Sequence, residues 1–546
     1  MISFSNKNRN LFKDRLVNEK FDLLIIGGGV TGAGILLDAQ TRGLKAALIE
    51  MQDFAQGTSS RSTKLIHGGL RYLKQFELAL VAEVGKERAI VHKNAPHLTI
   101  AEKMLLPLTE KGSIGKLGAR IGLWLYDFLA GVKKGERRIM LSADEVLKRE
   151  PLLDKTKTIG GALYYEYRTD DARLTFEIIK EAVLREGLAL NYLKAEEMLF
   201  NNERKIVGVK AKDLITGDLF SINADYVINA TGPWVDETDA LDRSSKKSKI
   251  IHTKGVHIVI DHKKLPIGQS VYFDVPDGRM VFAIPREGKT YIGTTDTFYT
   301  GDMINPEISL EDQEYLINAT NQIFPNSNLK LSDIESGWAG LRPLVREEGK
   351  SPSAISRKDE VFEYESGLIT IAGGKLTGYR KMAEKVIDII RKRIKANKST
   401  DIGQCQTGAI QLAGGKFSES LERVLANCIK EGEKIGLSSK ETEKIFFRFG
   451  SNTERVLKYA QRGALDGISL YWSIQLQYCL EEEMIAGAED FFVRRTGALY
   501  FDISEVRKYK EAVVYHMSNY FQWPENVKLS NLKSVDNLML NFQSGK

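Results

Sequence analysis

Cysteine and proline are scarce in this chain. Only three cysteines, Cys405, Cys428 and Cys479, and 12 prolines occur in 546 residues. The cysteines lie far apart with no C-x-x-C pair, so neither a disulfide framework nor a zinc site is encoded. Such usage fits a reducing, cytosol-facing compartment. The low proline content excludes collagen-like chains, and no internal repeat is visible. An excess of charge of one sign is also lacking, since 78 basic and 72 acidic residues leave a net charge of +6. That mild bias suits an anionic small molecule or membrane surface, or carries no functional meaning. The clustered cations and interleaved aromatics of a nucleic-acid binder are missing.

Long hydrophobic runs are few. The first residues, MISFSNKNRNLFKDRL, are polar and basic, without the apolar stretch of a signal peptide. Residues 21–39 are long enough to span a bilayer but carry Asp22, Asp38 and five glycines, which suits a buried strand, turn and helix. Residues 121–132 (IGLWLYDFLAGV) are too short to cross and include Asp127. They could lie in a membrane interface, flanked by Lys111, Lys116, Arg120, Lys133, Lys134, Arg137 and Arg138, or pack as an ordinary helix. With 42% hydrophobic residues the chain can bury two or three cores.

Residues 21–26 (FDLLII) read as a parallel strand buried on both faces. The strand runs into Gly27, Gly28, Gly29 and Gly32, followed by a helix stopped at Gly43 and a second strand ending at Glu50. This is strand, G-x-G-x-x-G, helix, strand, acid. Glycines admit a pyrophosphate against the backbone, and the acid can accept from a ribose hydroxyl. Two further strands of the same kind come much later. Residues 225–229 (DYVIN) lead into Ala230, Thr231 and Gly232; residues 368–372 (LITIA) lead into Gly373, Gly374, Lys375, Leu376 and Thr377. In the helix that follows, Tyr379, Met382, Ala383, Val386, Ile387 and Ile390 form a core-facing stripe. A nucleotide domain assembled from three distant pieces favours FAD. An NAD(P)-linked oxidoreductase would share the first motif, but no second G-x-G-x-x-G unit is present.

The segments TSSRS (58–62), KLIHGGLRY (64–72), ATGPWVD (230–236), TKGVHIV (253–259), IGTTD (292–296), GLRPL (340–344), ISRKD (355–359) and AGGKLTGYRK (372–381) carry a resemblance. From about residue 20 to 520 the chain resembles the FAD-dependent glycerol-3-phosphate dehydrogenases, within the amine-oxidase-like flavoproteins. The resemblance implies an α/β fold: a discontinuous Rossmann-like FAD domain (about 20–100, 165–250 and 350–400), and an antiparallel substrate domain (about 100–165 and 250–350). Residues 405–546 are expected to form an all-α C-terminal domain. There, Leu421, Val424, Leu425, Cys428 and Ile429 form a helical stripe, and Ser438 with Glu441 resembles a capping box.

The implied reaction is hydride transfer from C2 of sn-glycerol 3-phosphate to non-covalent FAD, giving dihydroxyacetone phosphate. Electrons would pass to a membrane quinone from the inner face of the cell membrane. The alternative is an oxidase that reduces O2 to hydrogen peroxide; the short stretch between GLRPL and Pro352 favours the dehydrogenase. A homodimer is compatible with the sequence. A dianionic substrate calls for guanidinium groups, and Arg71, Arg342 and Arg357 sit in glycine-, proline- or serine-flanked motifs. Each could instead form an internal ion pair. Lys375 and Tyr72 are further expected substrate contacts. A base is needed for the hydroxyl proton. His257 is favoured, with Arg342 stabilising the developing alkoxide, and His67 is the alternative. The remaining histidines, His92, His97, His252, His262 and His516, read as surface residues. The expected cofactor residues also include Thr58, Ser59, Ser60, Lys64, His67 and Gly68.

Overall fold

The computed structural model describes residues 3–67, 78–110, 121–123, 125, 134–242, 248–346, 358–398 and 401–540. Two sheets and a helical C-terminal region make up the fold. Gly68, Arg71, Tyr72 and Arg357, named above, lie outside the described residues, as does most of the run 111–133.

The first sheet has eight strands. From one edge its order is Asp359–Glu363, Ile369–Gly373, Leu219–Asn229, Lys20–Ile26, Ala46–Ile49 and Leu188–Leu190, with Leu193–Phe200 and Ile206–Asp213 added beside Leu219–Asn229. The inner pairings are parallel and join all three sequence pieces: Ile26 pairs with Asn229 and Ile49, and Asn229 with Thr370. Leu23, Leu24 and Ile25 have no exposed surface, as a strand covered on both faces requires. The helix Val30–Thr41 follows, and Arg42 caps it before Gly43 turns the chain at φ +78°. The helix Tyr379–Lys398 buries all six of its expected stripe residues. It packs directly on Val30–Thr41, because a Cβ at Gly34 would come within 2.9 Å of the Tyr379 ring.

The second sheet has ten strands. The long hairpin-like pair Ile250–Asp261 and Ile334–Val345 lies beside Lys289–Gly293, Met280–Arg286 and Ser270–Asp274, and the sheet continues through Thr99–Thr109, Thr158–Thr169 and Leu65–Ile66. One pairing departs from the antiparallel expectation, since Ser270 and Val271 run parallel to Met104 and Leu105. Leu65 and Ile66 join this sheet through Arg168 and Tyr167, so the chain crosses between the sheets soon after the glycine-rich turn.

Beyond residue 405 the described regular structure is helical. Ser438 and Glu441 form a reciprocal capping box, while Cys428 is the member of the 421–429 stripe that becomes fully buried. No helix among the described residues is long and apolar enough to cross a membrane.

Candidate active site

Between the strand ends of the first sheet lies a cavity of about 290 Å³. Backbone geometry shapes it. Gly27 adopts φ +114°, and a Cβ there would sit 2.5 Å from the Ala230 carbonyl oxygen. A Cβ on Gly32 would lie 1.9 Å from the Gly27 oxygen, so the helix can approach the strand only without a side chain. Gly29 opens onto the cavity at the first turn of the helix Val30–Thr41, where the Val30 N–H donates to Ser59 Oγ at 2.9 Å. Glu50 stands beside the glycine turn and lines the same cavity. Its carboxylate accepts from the Gly28 N–H at 2.6 Å and the Gln52 N–H at 2.8 Å. Burial pushes its pKa up, against the lowering effect of those two amides. Ala230, Thr231, Gly232, Gly374 and Leu376 also line it. A glycine backbone open to close approach, a helix N-terminus and a walled carboxylate fit a dinucleotide's pyrophosphate and ribose.

A second cavity of about 340 Å³ abuts the first, and Thr58, Ser62, Pro343, Gly374, Lys375 and Leu376 line both. His67, His257, Arg342 and Thr377 open onto it. Register places the two expected catalytic residues. On Ile250–Asp261, His257 pairs with Gly293 on one side and Trp338 on the other, and Thr253 pairs with Arg342. Two glycines make room. A Cβ on Gly293 would lie 2.1 Å from His257 Cδ2, and one on Gly255 would lie 2.3 Å from Arg342 Nη2.

His257 is 1% exposed. Its ring stacks on Trp338 at 4.8 Å, and its Nε2 shares a 3.1 Å hydrogen bond with the Thr63 hydroxyl. Burial, then the nearby Arg342 and Lys64 cations, hold its pKa well below the ordinary imidazole value. The ring is therefore neutral at pH 7 and can accept a proton. Arg342 donates through Nη1 to Asp296 at 3.2 Å and through Nη2 to the Thr294 hydroxyl at 3.0 Å.

Several expected residues have other partners. Lys64, 3% exposed, pairs with Asp171 at 2.6 Å and donates to the Ser60 carbonyl at 2.9 Å; it lines neither cavity. The buried Ser60 hydroxyl turns back to the Gln56 carbonyl. Thr58 lines both cavities while donating to the Leu341 carbonyl at 2.6 Å. His97 corrects the surface assignment: it is 0% exposed, beside the backbone of Gly414 and Gly450. Sequence reasoning missed Thr63, Thr294, Asp296 and Trp338, the partners of His257 and Arg342. It also missed the cavity-lining Arg61 and Arg279. Arg61, Thr294 and Asp296 fall inside the quoted TSSRS and IGTTD segments, which were the available signal.

Comparisons with known proteins agree with this geometry. The FAD dependent oxidoreductase family matches residues 22–380, and the C-terminal domain of alpha-glycerophosphate oxidase matches residues 405–528. An aerobic glycerol-3-phosphate dehydrogenase of Bacillus subtilis is 52% identical over 542 residues, covering 98% of each chain. One from Staphylococcus aureus is 49% identical, covering 94% of this chain and 93% of that one. The crystal structure of the Bacillus halodurans glycerol-3-phosphate dehydrogenase complexed with FAD superimposes with a TM-score of 0.85 at 44% identity, covering 98% of each chain. The L-alpha-glycerophosphate oxidase of Mycoplasma pneumoniae, 18% identical with a TM-score of 0.56 over 68% of this chain and 95% of that one, shares the fold. The chain belongs to the FAD-dependent oxidoreductases and, among them, to the aerobic glycerol-3-phosphate dehydrogenase family.

Proposed function

We propose that the protein binds FAD non-covalently in the glycine-walled cavity and oxidises sn-glycerol 3-phosphate to dihydroxyacetone phosphate in the adjoining one. The observation that carries this reading is the convergence of a neutral buried imidazole and a guanidinium in the second cavity, which shares Thr58, Ser62, Pro343, Gly374, Lys375 and Leu376 with the first. When bound, the flavin supplies the hydride acceptor. The chain's own residues do the rest. Gly27, Gly29 and Gly32 let the backbone approach the pyrophosphate, and Glu50 accepts from the ribose. Arg342 and Lys375 offer positive charge to the phosphate or to the alkoxide as it forms. His257 takes the hydroxyl proton, and the Thr63 hydroxyl bonded to its Nε2 orients the ring. An arriving dianion offsets the charge of Arg342. That removes part of the repulsion that depresses His257 and brings its basicity closer to what proton transfer needs.

His257→Asn should slow flavin reduction in a single-turnover experiment by about a hundredfold or more, with FAD still bound. An unchanged rate moves the role to His67 or to water. Plain glycerol should be a very poor substrate; comparable efficiency would sink the phosphate reading.

The proposed electron acceptor is a membrane quinone, reached by peripheral attachment to an anionic inner leaflet, and an O2-reducing oxidase is the alternative. An oxygen-electrode assay with and without a soluble quinone analogue separates them. Replacing Lys133, Lys134, Arg137 and Arg138 with Gln should release the protein from membranes while dye-linked activity persists. Attachment that survives both the substitutions and high salt places the anchor elsewhere.

A further inference from the structure

The C-terminal helical region contributes no lining residue to either cavity, yet it sends its most deeply buried charges toward them. At residues 490–495 the helix widens to a π-helical turn (Asp490–Arg495), closed by a Thr496 N–H to Phe491 carbonyl bond of 3.0 Å. Both consecutive arginines of that turn reach one carboxylate. Arg494 Nε donates to Asp53 Oδ2 at 2.6 Å; Arg495 donates to Oδ2 at 2.8 Å and to Oδ1 at 3.0 Å. Asn191 adds a donor to Oδ1 at 2.9 Å, and all four side chains are at most 2% exposed. The carboxylate stays ionised: burial works against it, but the two guanidiniums win and hold its pKa below the usual range.

Asp53 belongs to the turn that grips the glycine-rich loop. Three residues earlier, Glu50 accepts from the Gly28 N–H; two residues later, the Ala55 N–H donates to the Gly28 carbonyl at 3.0 Å. The turn therefore holds Gly28 from both sides, and the C-terminal region holds the turn. The charge of Arg494 is itself felt at Glu50.

A second arm reaches the other cavity. Just after the wide turn, Tyr500 and Phe501 pack on Trp338 at ring separations of 5.0 and 6.0 Å, and the Ser336 hydroxyl donates to the Tyr500 carbonyl at 2.6 Å. Trp338 is the ring on which His257 stacks.

We infer that the helical C-terminal region is a brace for the active site. Through Asp53 it fixes the turn that holds the glycine-rich loop, and through Trp338 it fixes the His257 ring. Arg494, Arg495 and Tyr500 are thus positioning residues. The second arm rests on His257 as the base. The groups that face its ring are Arg342 with Asp296, Lys64 with Asp171, and the Tyr291 phenol.

Two full-length variants test the brace. Arg495→Lys keeps the charge but loses the fork on Asp53. Reconstitution of the apoprotein, followed by flavin fluorescence, should show FAD binding weakened about tenfold or more, as small misplacements of a binding loop do. The isosteric Asp53→Asn gives the same readout if Arg495→Lys does not fold. Unchanged FAD affinity beside a lowered unfolding midpoint would reduce the network to a purely structural role and overturn the first arm. Tyr500→Leu loosens the packing behind Trp338. The acid limb of the flavin-reduction rate should then move up toward the ordinary imidazole range, while Tyr500→Phe keeps the wild-type profile. A wild-type limb that disappears in His257→Asn but does not move in Tyr500→Leu overturns the second arm. A limb that persists in His257→Asn instead overturns the choice of base.

Discussion

The two cavities are built by opposite means. The one between the parallel strand ends is shaped by backbone: positive φ at Gly27, missing Cβ atoms at Gly29 and Gly32, and the carboxylate of Glu50 tied to the Gly28 N–H. Its neighbour is made of side chains, lined by His257, Arg342, Arg279, Asp296, Asp277 and Glu166 on segments that lie far apart in the sequence. A backbone site tolerates no added atoms. A side-chain site tolerates substitution in proportion to the charge and geometry lost.

The sharpest test of that contrast is Gly32→Val. Even its Cβ would overlap the Gly27 oxygen, so helix and strand must separate where the pyrophosphate binds. We expect a colourless protein without activity; full flavin content would remove the basis for the contrast. Arg342→Lys tests the second cavity. A point charge cannot address Asp296, Thr294 and a substrate phosphate together, and kcat/KM should fall about ten- to hundredfold with flavin retained. A drop no larger than twofold would mean that this guanidinium serves only its internal ion pair.

Lys64→Met separates cofactor contact from scaffold. Since the ammonium pairs with buried Asp171, its loss should lower stability by roughly 3 kcal/mol in denaturant unfolding, with the flavin spectrum preserved. The last effect is a slope, small over any one pH unit. Burial, and then Arg173, hold the His97 pKa at about 3, so the native state refuses a proton that the unfolded chain accepts near pH 6.5. Its stabilising contribution is complete above pH 6.5 and is lost as pH falls toward 3, by about 1.4 kcal/mol per unit. His97→Leu should flatten unfolding free energy against pH by that amount. An unaltered slope would mean that His97 is not buried as a neutral ring.

Much of the first cavity was legible because its constraints are local. Gly27 to Gly32, the strand before them and Glu50 after them lie within thirty residues, and each is demanded by sterics that any chain must obey. Glu50 shows the limit even there: its spacing signalled a ribose acceptor, but not the hydrogen bond that ties it back to Gly28. The second cavity was legible only where a motif marked it. His257 stood out within TKGVHIV, whereas Thr63 and Trp338, which orient its ring, come from distant strands. Lys64 was misread for the same reason. A lysine beside a flavin-like turn looks like a ligand until Asp171, more than a hundred residues away, claims its charge.

The sequence by itself determined the nucleotide turn, the three parallel strands that meet around it, the stripe of the helix Tyr379–Lys398 and a helical C-terminal region. Tertiary structure alone decided which charges face each other. It set the register that puts His257 between Gly293 and Trp338, the clearing at Gly255 that Arg342 fills, and the reach of Arg494 and Arg495 to Asp53. The physical reason is range: backbone conformation and apolar periodicity act over a few residues, whereas ion pairs and ring stacks are fixed by strand register and domain packing, which no short stretch of chain records.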